Sequence, residues 1–92
     1  MKIYIKSNTD EKPILDSVRT SWKELGDGSG IVFTIFSPSN EILFEQIFDY
    51  NDVDPDNIYE SAIDMAILAL SLQYELTGKA INIIKETHVE SL

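Results

Sequence analysis

Residues 57–77 of this 92-residue chain carry helix-forming side chains and no Gly or Pro, and they end at Thr77 and Gly78, a pair suited to a left-handed helix stop. At about 100° per residue, Glu60, Asp64, Ser71 and Glu75 gather in one narrow stripe, and apolar residues between Ile58 and Leu76 cover roughly two-thirds of the circumference. A helix this apolar must be covered on more than one side, so the chain has to build a broad apolar layer against it. "IVFTIF", Ile31–Phe36, is rich in β-branched and aromatic residues, "SPSN" turns the chain, and "EILFEQIF", Glu41–Phe48, reads as the returning strand of a hairpin. Alternation along that strand places Ile42, Phe44 and Phe48 on one side and Leu43, Glu45 and Ile47 on the other.

"KIYIK" at residues 2–6 alternates as a half-buried strand does, with Ile3 and Ile5 opposite Lys2, Tyr4 and Lys6. In "NTDEKPILDSVRTSWKELG", Ile14, Leu15, Val18, Trp22 and Leu25 recur at helical spacing. Thr9 or Asp10 can cap such a helix, Pro13 suits its first turn, and Gly26 stands where it would stop. "GDGSG" at 26–30 reads as a linker, "KAINIIK" at 79–85 as a last short strand, and residues 85–92 as a flexible tail. The expected order is therefore β-α-β-β-α-β in one domain spanning residues 1–92. That pattern describes an α+β, ferredoxin-like sandwich, a four-stranded antiparallel sheet with both helices on one face, and a trimmed ribonuclease-H-like arrangement is its main rival.

Catalytic chemistry is hard to assemble from these residues. There is no Cys, which excludes thiolate nucleophiles, disulfides and CxxC metal sites, and the single His88 falls in the expected tail. "DYNDVDPDNIYE", residues 49–60, concentrates carboxylates but fails the spacing of a calcium loop. From Asp52 the sixth position is Asn57 and the twelfth Ile63, and from Asp49 the fifth is Val53 and the sixth Asp54. The stretch works better as a helix start, with Asp54 as cap, Pro55 at the first position, and Asp56 and Glu60 near the positive end of the helix dipole. No catalytic residue, metal or cofactor is expected. The first residues hold no long apolar run, no segment approaches the roughly 20 residues of a membrane span, and the expected location is the cytoplasm.

The net charge of −9 argues against direct contact with nucleic acid and for a protein partner with a basic surface. Its distribution is uneven, since residues 24–78 hold eleven Asp and Glu and no Lys or Arg. Glu41, Glu45, Asp49, Asp52, Asp54, Asp56, Glu60 and Asp64 are expected to form an acidic ridge able to occupy a groove built for a phosphate backbone. A second candidate surface is apolar. Tyr4, Leu43 and Ile47 on an open sheet face, and Ile67, Leu68 and Tyr74 on the helix flank, would serve a homodimer or another protein contact. The opening "MKIYIKS", seven residues of the chain, resembles that of small acidic phage and mobile-element proteins, a group that includes anti-CRISPR proteins. The resemblance implies an inhibitor that acts by binding, with no catalytic residues to carry over. Together with the charge, it leads to the expectation of a non-enzymatic modulator of a nucleic-acid-handling protein, with a structural or regulatory interaction module as the alternative.

Overall fold

A computed structural model describes residues 12–87, so the expected strand at 2–6, and with it Tyr4, lies outside the described residues, as does His88. The elements are β1 (Ile14–Leu15), β2 (Arg19–Glu24), β3 (Gly30–Phe36), β4 (Ile42–Asp49), a 3-10 turn (Pro55–Asn57), α1 (Ile58–Ser71), β5 (Glu75–Leu76) and α2 (Gly78–Lys85). The architecture is α+β. A three-stranded antiparallel sheet, ordered β2-β3-β4, stands beside a two-stranded parallel pair of β1 and β5.

The β3–β4 hairpin forms where the sequence places it. Ser37 and Glu41 close the turn, Ser37 N–H donating to the Glu41 carbonyl at 2.8 Å, and Asn40 takes the left-handed conformation with φ of 72°, which Asn tolerates better than most residues. Ile31, Phe33 and Ile35 pair directly with Phe48, Gln46 and Phe44, so these six share one face. That face holds the core, with Gln46 at its exposed margin. Ile58, Ala62, Ala66 and Leu70 press the inner stripe of α1 onto it, and the two alanines let the helix backbone approach the sheet. α1 packs against β4 and α2 against β2, so the two helices cover the same side.

Three expectations are corrected. The segment expected as a helix between residues 10 and 25 is extended and contributes β1 and β2, with all six residues of β2 in register with β3. Val18 and Trp22 are four apart, and four is a multiple of two, so the pair satisfies a strand as well as a helix. Thr20, between them, pairs with core-facing Ile35 and decides for the strand. The second correction concerns "KAINIIK", which is the helix α2 and not a strand. Thr77 caps it, its hydroxyl accepting from Ala80 N–H at 3.2 Å, and Ala80 and Ile84, one turn apart, are the buried pair. Thr77 and Gly78 therefore start a helix where they were expected to end one.

The third correction is the early end of α1. It stops at Ser71, not Thr77, because Glu75 and Leu76 are drawn into parallel pairing with Ile14 and Leu15. Glu75 N–H donates to the Pro13 carbonyl at 2.9 Å, and the Lys12 ammonium donates to the Ser71 carbonyl at 2.7 Å, supplying a partner that the helix end lacks. With two of six elements changed in type, the described residues do not build the four-stranded ferredoxin-like sheet. Within the segment expected as a tail, Thr87 is held in place: it is 4% exposed, shares a 2.6 Å hydrogen bond with the Thr20 hydroxyl and accepts from the Trp22 indole N–H at 3.1 Å.

Candidate functional site

Asp49 closes β4, and the chain then reverses tightly, with Asn51 N–H donating to the Asp49 carboxylate at 2.8 Å and Asp52 N–H to its carbonyl at 2.9 Å. Asp54 is the cap that the sequence suggests, its carboxylate accepting from Asp56 N–H at 3.0 Å as the 3-10 turn begins. These bonds occupy Asp49 and Asp54 with local turn building. Asp52 is exposed on the reversal itself.

Asp56, Glu60 and Asp64 follow at four-residue intervals and come together. With Tyr59, Ile63 and Lys85 they line an open groove of 350 Å³ along the start of α1. No hydrogen bond or salt bridge to another described residue engages the three carboxylates, so they are exposed to bulk water and to any cation that enters. Apolar surface from Tyr59 and Ile63 lies beside them, an arrangement that suits the methylene stem and charged head of a basic side chain. Among the described residues Lys85, in the last turn of α2, forms the one cationic wall of the groove. Among the described residues no group of three or more His, Asp or Glu is placed to hold a metal ion.

The remaining members of the expected ridge are dispersed. Glu45 pairs with Thr34, on the sheet face opposite the helices, and accepts from its hydroxyl at 3.4 Å. Glu41 precedes Ile42, at the other end of a strand that spans about 24 Å at the rise of an antiparallel strand. Glu41 and Glu45 therefore lie apart from the groove, which brings together Asp56, Glu60 and Asp64.

The apolar candidates separate in the same way. Ile47 is 57% exposed on the open sheet face, opposite Val32, and Leu68 is 68% exposed on α1. Leu43, Ile67 and Tyr74 are half-buried and pack against the core. Leu43 falls inward because a bulge at Ile35/Phe36 breaks the alternation, and the same bulge places Ile42 opposite Phe36. Sequence reasoning missed Met65 and Leu72, which with Leu68 form an exposed strip, Leu72 being 73% exposed. Their spacing of three and four residues, set against the inner stripe of Ala62, Ala66 and Leu70, was the available signal.

Compared with protein-family models, curated proteins and solved structures, the chain shows no match. No helix among the described residues is long and apolar enough to cross a membrane.

Proposed function

We propose that this chain is a non-enzymatic acidic binding protein that inhibits or modulates a nucleic-acid-handling protein of the host, in the manner of anti-CRISPR and other anti-defence proteins. The observation that supports this most is the groove in which Asp56, Glu60 and Asp64 converge beside Tyr59 and Ile63. Its lining residues other than Lys85 fall in a span, residues 24–78, that holds eleven acids and no base. Proteins that grip a phosphate backbone do so with sign-selective clusters of Lys and Arg, and an acidic groove with apolar walls can fill such a cluster without a base-specific contact.

Replacing Asp56, Glu60 and Asp64 together with Lys is expected to weaken capture of the partner by about 30-fold or more, because each reversal removes an attraction and adds a repulsion. Far-UV circular dichroism should still show the folded helices, since all three side chains are exposed and the lost dipole contacts of Asp56 and Glu60 are worth only about 0.3–1 kcal/mol each. The measurement is affinity capture from a lysate of cells that encode defence nucleases, eluted stepwise with salt. A basic nucleic-acid enzyme that leaves at moderate salt, and is lost with the triple variant, is the expected result. A partner held equally by both forms at high salt overturns the reading.

The strip of Met65, Leu68 and Leu72 favours a second reading, an apolar contact with another copy or another protein. That contact would strengthen or hold at high salt and be lost with Leu68→Glu, so the same capture experiment separates the two.

A further inference from the structure

A second cavity, of 190 Å³, lies between Tyr50 and Tyr59, with Ile31 and Ile58 as its buried floor. Its walls come from separate elements and are each held in place. Tyr50 directly follows β4, its N–H donating to the Ser29 carbonyl at 3.0 Å. Tyr59, in the first turn of α1, lies edge-on against Trp22 with ring centroids 4.7 Å apart. The slot is thus formed before any ligand arrives. Its volume is below the ~300 Å³ at which small-molecule pockets begin, a size for one long side chain and too small for a nucleotide or a cofactor.

The chemistry of the slot is selective as well. The Tyr50 hydroxyl donates to Glu24 at 3.4 Å, and Glu24 pairs directly with the floor residue Ile31, which sets a carboxylate at the rim. Loss of water around Tyr50, and then the Glu24 charge, push its phenol above the ordinary value, which is itself well above neutral pH, and the hydroxyl is a donor. Two π systems, an apolar floor and a rim carboxylate favour a cation with an apolar stem over a neutral aliphatic group. Between the two cationic side chains, the planar and weakly hydrated guanidinium stacks on aromatic rings and donates to a carboxylate in a fixed fork, whereas an ammonium is a strongly hydrated point charge.

We infer that the slot between Tyr50 and Tyr59 receives an arginine side chain of the protein partner, with its stem on Ile31 and Ile58 and its guanidinium against the rings and Glu24. This rests on the reading that the partner is basic and names the residue that anchors it. The slot and the acidic groove share Tyr59 as a wall, so an arginine seated in the slot places its neighbours over Asp56 and Glu60.

The test is an NMR titration at low ionic strength with the capped peptide Gly-Gly-Arg-Gly-Gly, and with its lysine and norleucine counterparts. Saturable shifts of the Tyr50 and Tyr59 ring signals are expected with arginine, about threefold or more weaker with lysine, and absent with norleucine. Tyr50→Leu, which keeps apolar volume, should lose the arginine response by about threefold or more, and Tyr50→Phe, which keeps the ring, should retain most of it. Equal binding of norleucine, or an arginine response unchanged in Tyr50→Leu, overturns the assignment. Arginine-peptide shifts confined to the backbone signals of Asp56, Glu60 and Asp64 overturn the slot while leaving the acidic-groove reading standing. Loss of that wider reading would instead show as capture unaffected by the triple reversal.

Discussion

Phe33→Ala is expected to cost about 3–5 kcal/mol, the range for removing a fully buried aromatic side chain from a core. Phe33 is 0% exposed at the centre of the middle strand, stacked on Trp22 with centroids 4.1 Å apart and set edge-on to Phe44 at 6.1 Å. Its ring supports the indole, which in turn meets Tyr59 and donates to Thr87. Truncation therefore leaves a void beneath the column that joins the sheet, the start of α1 and the end of the described chain. Against a total of about 5–15 kcal/mol for an ordinary domain, a loss of this size removes a fifth or more of the stability. Urea unfolding followed by the fluorescence of Trp22, the only tryptophan, measures it. Val32→Ala, one residue away on the opposite face, should cost less than half as much. Equal losses would mean that the helices do not cover the face that holds Phe33.

The hairpin was legible because β3 is rich in β-branched and aromatic residues, β4 alternates over part of its length, and Ser37 and Asn40 are turn residues for a stated steric reason. The same signal failed at β2. A spacing of four residues between Val18 and Trp22 fits both periods, and the evidence that separates them is the pairing of β2 with β3, which is tertiary. At α2 the ambiguity was one of direction. Thr77 and Gly78 can close one helix or open the next, and the pairing of β5 with β1 settles which. Local propensity describes both outcomes, and only the contact between segments about sixty residues apart selects one.

For the site, the cap at Asp54 was readable because it depends on three neighbouring residues. Convergence of the acids was only half readable. Alternation along β4 already put Glu45 with Ile47, away from Phe44 and Phe48, so its absence from the groove follows from parity. The joining of Lys85 and Asp64 in one groove does not follow from any local pattern, since α2 was read as a strand. The slot between Tyr50 and Tyr59 was hidden for a related reason: its floor residue Ile31 and its rim carboxylate Glu24 are neighbours only through the β2–β3 ladder.

Gly30→Ala is expected to be the most damaging of the small substitutions, at about 2–3 kcal/mol, the upper part of the range for inserting a methyl group where no room exists. A Cβ at Gly30 would collide with the Phe48 carbonyl oxygen, and that oxygen belongs to a strand backbone that cannot rotate away. Relief requires β3 and β4 to part at the end where Gly30 pairs with Asp49. The damage therefore reaches the site, because the next residues are Tyr50, anchored to the Ser29 carbonyl, and the reversal that leads to Asp54. Gly26→Ala and Gly78→Ala are the controls, as no atom lies within 4 Å of either added methyl. Gly78 opens α2, so alanine there should be neutral or stabilise by up to about 1 kcal/mol. Thermal unfolding of the three variants checks the order, and the arginine-peptide titration checks its consequence, since Gly30→Ala should weaken the Tyr50 response while the two controls leave it unchanged. A Gly30→Ala protein as stable as the parent would show that the two strands do not approach each other this closely.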